Sequence, residues 1–219
     1  MHFKVLLMKT TLSNPGEDLQ AIRDIMERSS RFLSLSGLSG IFAGICALAG
    51  AAVAWLLYPD ALQLSSIPAT PGAHVGLAGN NLFYLALIAL LVLIAAALGA
   101  TWFSFRKARK AGQPFWTLST RRLLIHLLIP MAVGGIFTII LLYRNHPELA
   151  ACAMLVFYGL ALVNAGKFTF GEIHYLGLTE ILLGFLAGIF VQYGFWLWAT
   201  GFGLMHIIYG AVMYYRHER

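Results

Sequence analysis

The sequence contains little charge. Of its 219 residues, 11% are Asp, Glu, Lys or Arg, whereas a soluble domain usually carries about 25%. Hydrophobic residues make up 59%, and the mean hydropathy is +0.77. A soluble fold of this length has too small an interior to hide so much apolar surface, which excludes a water-soluble globular protein. We therefore predict an integral membrane protein.

Cysteine is also scarce. Cys46 and Cys152 are the two cysteines of the chain, and each lies within an apolar run. They show neither the spacing of a metal site nor the pattern of a disulfide framework. The simplest interpretation is two small, buried, apolar side chains.

Six segments are apolar enough and long enough to span a membrane as helices, which takes about 20 residues. No Lys or Arg lies near the centre of any of them. We number them spans one to six in chain order. They lie approximately at residues 35–58, 82–105, 123–143, 149–166, 173–192 and 194–215. The predicted fold is an all-α bundle of six transmembrane helices within residues 35–219.

Positive charge is distributed unevenly among the segments that connect these spans. Fourteen of the fifteen Lys and Arg residues lie before span one, between spans two and three, between spans four and five, or after span six. Arg144, between spans three and four, is the exception. Cytoplasmic loops of membrane proteins carry an excess of Lys and Arg, so we predict that both termini are cytoplasmic.

Residues 1–34 form a separate N-terminal segment on the cytoplasmic side. Asn14, Pro15 and Glu17 have the arrangement of a helix start, with a cap, a first helical residue and a side chain that reaches back. Apolar residues then recur at helical spacing, which predicts an amphipathic helix at the membrane surface. Two roles stay open for residues 13–33: a lead-in that lies among the lipid headgroups, or a docking site for a cytoplasmic protein.

Glycine patterns suggest an internal repeat. Gly40 and Gly44 in span one have the same spacing as Gly184 and Gly188 in span five, and Gly210 in span six belongs to a Tyr-Gly pattern shared with span four. We interpret these matches as three tandem helical hairpins, although a chain with 22 glycines also produces matches by chance. The hairpins cover residues 35–105, 123–166 and 173–215. Because small residues let helices approach closely in lipid, we expect the five glycines at helix contacts.

Two ionisable residues lie near the predicted midplane of the spans, where such groups are costly and usually face the bundle interior. Glu180 in span five and His206 in span six are equally far from the turn near Tyr193. In an antiparallel hairpin the two are level, so we predict that their side chains can meet. A carboxylate beside an imidazolium lowers the cost of burying both. Two interpretations follow: a proton-linked or ligand-binding site, or a polar clamp that fixes helix register.

A second group of polar residues is predicted near the cytoplasmic ends of the spans. His126 in span three and Asn164 in span four are roughly level across their turn. Lys167, Glu172 and His174 follow near the connection between spans four and five, where we expect Lys167 to pair with Glu172. These residues either line a cytoplasmic vestibule or form wet interfacial structure.

No signature of a metal or cofactor site is present. His126, His174, Glu180 and His206 are suitable ligand types, but the chain has no tight ligand spacing such as HExxH. His206 also has no histidine at its own depth with which to hold a haem. We therefore expect no metal and no cofactor, and we assign no catalytic residue.

Residues 22–40 carry the one resemblance to known proteins, and they read IRDIMERSSRFLSLSGLSG. This stretch resembles the beginning of a group of small bacterial inner-membrane proteins of unknown function, and the resemblance extends along most of the chain. It implies a six-helix protein of the bacterial inner membrane. It implies nothing about activity.

Three functions are compatible with these features. The first is a module that binds or moves a small solute or protons through a site near Glu180 and His206. The second is a non-catalytic scaffold or sensor that acts on a cytoplasmic protein through residues 13–33. The third is a metal-dependent enzyme that acts on lipid and uses His126, His174 and Glu180. In each case the expected partner is the lipid bilayer and not nucleic acid, and a homo-oligomer stays open.

Overall fold

A computed structural model describes residues 34–64 and 79–219 of the chain. These residues are helical and contain no β-strand. The predicted amphipathic helix at residues 13–33 lies outside the described residues.

Eight α-helices make up most of the described chain. They are α1 (Gly37–Leu57), α2 (Pro59–Leu64), α3 (Gly79–Lys110), α4 (Leu118–Tyr143), α5 (Ala150–Gly166), α6 (Gly171–Ile189), α7 (Gly194–Trp198) and α8 (His206–His217). Short 3-10 turns at Pro147–Leu149 and Val191–Tyr193 precede α5 and α7, and a π-helical segment, Ala199–Met205, joins α7 to α8.

Six helical stretches of the described chain are long and apolar enough to cross a membrane. They are Gly37–Leu57, Asn81–Lys110, Leu118–Tyr143, Pro147–Gly166, Gly171–Ile189 and Val191–His217. The prediction of an all-α chain with six candidate spans is therefore confirmed. Span two continues beyond residue 105 to Lys110, because the Arg, Lys and Ala residues that follow are good helix formers.

Local chemistry sets the turn between α3 and α4. Gly112 has a φ of +64°, the left-handed conformation that glycine adopts at little cost after a helix. Thr117 then caps α4: its hydroxyl accepts a hydrogen bond from the Thr120 backbone N–H, and the Thr117 N–H donates to Thr120 Oγ1. This reciprocal pair satisfies two N–H groups that the first turn of a helix leaves without partners.

Two close helix interfaces are built on glycine. In the first, α1 packs against the π-helical segment and α8; a Cβ on Gly40 would lie 3.1 Å from Cα of Gly210. In the second, α5 packs against α6, and a Cβ on Gly159 would lie 2.6 Å from the carbonyl oxygen of Gly177. Backbone approaches of this kind leave no room for a side chain, as expected of helices packed in lipid.

The structure places all five glycines singled out in the sequence at contacts between helices. Gly40 and Gly44 face the π-helical segment and α8, which includes Gly210, whereas Gly184 and Gly188 face α5. The glycines of span five therefore contact span four more closely than their own hairpin partner, span six.

The two remaining long helices pack on the outside. Helix α3 packs on α1, and α4 packs on α5. Each of the six long helices packs on the next one in the order α3, α1, α8, α6, α5, α4. Within the described ranges α3 and α4 have no substantial contact with each other, and a cleft lies between them.

Candidate functional site

Glu180 and His206 lie side by side in the structure. Glu180 is in the middle of α6, and His206 is the first residue of α8. Oε1 of Glu180 is 3.4 Å from Nδ1 of His206. The carboxylate residue is 0% exposed and the histidine is 5% exposed. The structure thus brings together the two residues whose equal distance from the connecting turn predicted that they meet.

The two ring nitrogens of His206 have different partners. Nδ1 lies 3.0 Å from the carbonyl oxygen of Gly201, and Nε2 lies 2.8 Å from the hydroxyl of Tyr158. A carbonyl oxygen can only accept, so Nδ1 carries a proton and donates it to Gly201. Tyr158 therefore donates to Nε2 while the ring carries its proton on Nδ1 alone, and it accepts from Nε2 once that nitrogen is protonated.

The π-helical segment makes room for the carboxylate. Gly201 lies in this segment, where an added Cβ would collide with Oε2 of Glu180 and approach Cδ2 of Leu155 to 2.7 Å. A π-helical turn is rare and occurs frequently at functional sites. Here it presents the Gly201 carbonyl to the His206 ring and a bare backbone to the Glu180 side chain.

Glu180 is poorly satisfied in this position. Neither of its carboxylate oxygens has a hydrogen-bond partner among the described residues, although both are buried. A buried carboxylate without donors costs several kcal/mol if it is ionised, and a protonated His206 ring, which faces it at 3.4 Å, would compensate that charge. The pair has two net-neutral forms, carboxylate with imidazolium and carboxylic acid with neutral imidazole, which differ by one proton transfer.

The site borders a large cleft. The cleft has a volume of about 490 Å³ and lies among α1, α3, α4, α5 and the chain from Val191 to His206. Most of its lining is apolar, and Tyr158 and His206 form part of it. Residues that represent its walls are Ala47, Leu85, Val92, Met131, Gly135 and Phe202. Glu180 is therefore connected to the cleft through the His206 ring and the Tyr158 hydroxyl.

Aromatic rings hold the polar groups in place. The Tyr158 ring lies 5.4 Å from the His206 ring and 4.9 Å from the Phe202 ring, centroid to centroid. Trp198 packs on Phe202 at 5.1 Å. Ring contacts of this kind are worth about 0.5–1.5 kcal/mol beyond simple burial, so they restrict the orientation of both Tyr158 and His206.

The sequence alone does not predict Tyr158 or Gly201 as site residues. A signal for Tyr158 is present, because its Tyr-Gly pair matches Tyr209-Gly210 in span six. No local pattern distinguishes Gly201 from the other glycines, and its role depends on the neighbouring helix α6.

Three of the polar residues predicted near the cytoplasmic ends lie close together, namely Asn164, Lys167 and His174. His126 stacks on Phe168, with ring centroids 4.8 Å apart. Lys167 Nζ donates to Asn164 Oδ1 at 3.5 Å. His174 and Lys167 border a separate small cavity of about 270 Å³.

The predicted Lys167–Glu172 pair is wrong. Oε1 of Glu172 instead accepts from Arg216 at 3.0 Å and lies 3.2 Å from Nε2 of His217. The physical reason is tertiary: α6 begins where the antiparallel helix α8 ends, so residues remote in sequence are nearer to Glu172 than Lys167 is.

A second ion cluster, which the sequence does not predict, lies at the end of the bundle that also holds Glu172, Arg216 and His217. Glu218 accepts hydrogen bonds from the Ser36 hydroxyl at 3.0 Å and from the Gly37 backbone N–H, and it pairs with Lys107 at 3.3 Å. Lys107 also donates to the Leu35 carbonyl at 2.7 Å. We call this end the basic end of the bundle. The carboxylate of Glu218 caps α1 from another helix, where the helix dipole favours a negative charge.

Metal ligation finds no support in the described residues. No three of their His, Cys, Asp or Glu side chains converge as they would around a metal ion. His126, His174 and Glu180, which the metal-enzyme hypothesis requires together, lie in three separate environments.

Comparison of the chain with protein-family models, curated proteins and solved structures gave no match. The functional conclusion therefore depends on the geometry of the site.

Proposed function

We propose that this chain is a multi-pass membrane protein that binds a small solute in its cleft and couples that binding to protonation of Glu180. The observation that carries the proposal is a fully buried carboxylate without a hydrogen-bond partner among the described residues, connected to the cleft through His206 and Tyr158. Buried ionisable residues within membrane spans are functional-site candidates by default.

Histidine supplies the proton path. The path starts from the deprotonated pair, in which Glu180 is a carboxylate and the neutral His206 ring carries its proton on Nδ1. The Tyr158 hydroxyl takes up a proton that enters from the cleft and passes its own proton to Nε2, which makes the ring an imidazolium. Nδ1 then releases its proton to Oε1 of Glu180, 3.4 Å away. The ring ends neutral with its proton on Nε2, and Glu180 becomes a carboxylic acid. A histidine relay is suited to this step because each ring nitrogen can gain or lose a proton near neutral pH.

Solute binding is coupled to protonation because the Tyr158 hydroxyl belongs both to the cleft and to the hydrogen bond with His206. A solute that hydrogen-bonds to Tyr158 or to Nε2 competes with the Tyr158–His206 hydrogen bond of 2.8 Å. Loss of that bond changes the relative free energies of the two protonation states of the ring. Binding and protonation are then linked, and linkage requires that each affects the other equally.

We place the basic end of the bundle in the cytoplasm of a bacterial cell, with the protein in the inner membrane and both termini inside. Support comes from the distribution of Lys and Arg, fourteen of fifteen of which belong to one side of the six spans. The bacterial inner membrane follows from the resemblance of residues 22–40. The exposed apolar side chains of α3 and α4, such as Leu90 and Ile139, are suited to contact with lipid.

The three-hairpin repeat stays part of the proposal, and contact register supports it. On the alignment of Gly44 with Gly188 and of Gly210 with Gly159, three contacts of the α1–α8 interface have counterparts in the α6–α5 interface. These are Gly37–Gly210 with Ile181–Gly159, Gly40–His206 with Gly184–Leu155, and Gly44–Gly203 with Gly188–Cys152. Chance matches between glycines do not by themselves produce equal register in two interfaces.

A structural clamp is the second candidate, favoured by a specific observation. Tyr158, Glu180 and His206 belong to α5, α6 and α8, so their contacts join three helices at one depth. The scaffold hypothesis depends on residues 13–33, which lie outside the described residues.

Infrared spectroscopy of the full chain in lipid separates the two candidates. The proton-linked site predicts a carboxylic-acid band that appears and disappears with pH and is lost in Glu180→Gln. The matched control is Glu172→Gln, because this carboxylate is paired with Arg216 and His217 at the basic end. A spectrum in which no titrating carboxyl band depends on Glu180 would contradict proton coupling and leave the clamp.

A further inference from the structure

The cleft occupies the position of a third repeat interface. The alignment extends to span two when Gly99 is matched with Gly159 and Gly210, which makes Val92 of α3 the counterpart of Cys152 and Gly203. In span three, Gly135-Ile136 of α4 matches Gly44-Ile45 and Gly188-Ile189. The corresponding residues are in contact in the other two interfaces. Val92 and Gly135 instead both line the cleft, and a Cβ on Gly135 would meet nothing within 4 Å.

The open interface connects the cleft to the membrane. Helix α3 packs on α1 and α4 packs on α5, without substantial contact between α3 and α4 in the described ranges. Both carry large exposed apolar residues, among them Leu91 and Ile139. A gap between two lipid-facing helices admits molecules that are dissolved in the bilayer.

The lining of the cleft selects against charge. Among the described residues that line it, Glu148 is the one Asp, Glu, Lys or Arg, and it is already paired with His146 at 3.0 Å. This part of the lining therefore holds no Lys or Arg that would compensate a phosphate or a carboxylate. A cation would meet His206, which is itself positive in one of its two states. Moving any ion along these apolar walls carries a large desolvation cost.

The cleft offers hydrogen bonds at Tyr158 and His206. Tyr158 and His206 belong to its lining, and their facing atoms form a donor–acceptor pair of 2.8 Å that a ligand hydroxyl or carbonyl can enter. A volume of about 490 Å³ lies within the range of about 300–1,000 Å³ usual for ligand sites.

We infer that the ligand is an uncharged, largely hydrocarbon molecule with one hydroxyl or carbonyl group, taken from the bilayer between α3 and α4. Its apolar body lies along the cleft, and its polar group bonds to Tyr158 and His206. The inference rests on the proposed function, whose solute it assigns to a chemical class.

The test uses the full chain in liposomes and a photoreactive probe, hexadecanol with a diazirine beside the hydroxyl carbon. Mass spectrometry locates the cross-link. We expect labelling of Met154, Tyr158 or Phe202, which line the cleft beside His206. Probes with the same chain and a carboxylate or a trimethylammonium head should label these residues at least tenfold less. Equal or stronger labelling by either charged probe would overturn the assignment.

Two variants check that the label reports the cleft. Gly135→Trp fills open space and should reduce labelling at least tenfold. Ile136→Trp is the matched control, because Ile136 is the next residue, is 61% exposed and does not line the cleft. Equal labelling of the two variants would refute entry through the α3–α4 gap. Tyr158→Phe should weaken capture of the alcohol about fivefold, the loss of one neutral hydrogen bond, and should not change capture of a hydrocarbon probe.

Failure of the ligand class is distinguishable from failure of the proposed function. A titrating Glu180 band with no cleft labelling would reject the hydrocarbon ligand and keep proton coupling. Cleft labelling without a titrating Glu180 band would keep the ligand and reject proton coupling.

Discussion

Oε1 of Glu180 lies 3.4 Å from Nδ1 of His206, and both residues are buried. The pair joins α6 to α8 at the point where the π-helical segment ends. Since neither carboxylate oxygen has a hydrogen bond among the described residues, the imidazole is the main electrostatic partner of Glu180. Each partner therefore depends on the other, which gives the first prediction.

Removal of one member of this pair should destabilise the protein more than removal of both. His206→Leu leaves Glu180 buried and uncompensated, which costs about 3–5 kcal/mol. The double variant Glu180→Leu/His206→Leu removes the uncompensated charge and should recover most of that loss. Unfolding in mixed detergent measures the free energies of the wild type, His206→Leu, Glu180→Leu and the double variant. Additive effects of the two single changes would show that the side chains do not interact.

Glycine contacts give a second prediction, with a control on the neighbouring helix. Gly159→Ala places a methyl group 2.6 Å from the Gly177 carbonyl oxygen, and such overpacking costs about 1–3 kcal/mol. Gly135→Ala places the same group in open space and should be neutral or stabilising by up to about 1 kcal/mol, because alanine is the better helix former. The midpoint temperature of thermal unfolding should fall in Gly159→Ala and should stay the same or rise in Gly135→Ala. Equal destabilisation would contradict the α5–α6 packing.

A disulfide tests the register of the same interface. A Cβ on Gly188 would lie 3.7 Å from Cβ of Cys152, within the range of about 3.5–4.5 Å found in disulfides. In a Cys46→Ala background, Gly188→Cys should form a disulfide with Cys152 when isolated membranes are oxidised. Loss of both thiols from maleimide labelling measures the bond.

The control for that disulfide is a cysteine pair placed across the cleft between α3 and α4. Val92→Cys/Gly135→Cys, in a background where Cys46 and Cys152 are both alanine, should stay reduced under the same conditions because the cleft separates these positions. Rapid cross-linking of this pair would mean that α3 and α4 meet in the membrane, contrary to the arrangement described here.

The ion cluster at the basic end gives a fourth prediction. Glu218→Gln removes the charge that caps α1 and pairs with Lys107, and it should lower the free energy of unfolding by about 1–2 kcal/mol. Arg216→Gln is the control: its side chain is 69% exposed, and exposed ion pairs contribute about 0–1 kcal/mol. Denaturant titration compares the two. A larger effect of Arg216→Gln would show that Glu218 is not the principal contact.

The local sequence is enough to predict the six spans and the common depth of Glu180 and His206. The apolar runs are sufficient to locate six spans, because bilayer thickness and helix rise together set the length that a span needs. Counting outward from the turn near Tyr193 is sufficient to put Glu180 and His206 at one depth, because the rise per residue is the same in both helices. The π-helical segment between Tyr193 and His206 departs from regular α-helical geometry, but Glu180 and His206 still meet.

Tertiary structure decided what those residues contact. The pairing of Glu172 with Arg216, the capping of α1 by Glu218 and the contact of Tyr158 with His206 each join residues more than forty positions apart. No periodic pattern within one helix contains such information, which explains why the Lys167–Glu172 prediction failed.

The sequence alone therefore determined that the chain is helical, has six candidate spans and carries a buried acid and a histidine at equal depth. These properties depend on hydropathy and helix geometry, which are local. Only the tertiary structure decided that α3 and α4 stand apart, that a cleft reaches Tyr158 and His206, and that Gly201 gives Glu180 its space. These properties depend on which helix faces pack, and in a chain with so many apolar surfaces many packings satisfy the same local pattern.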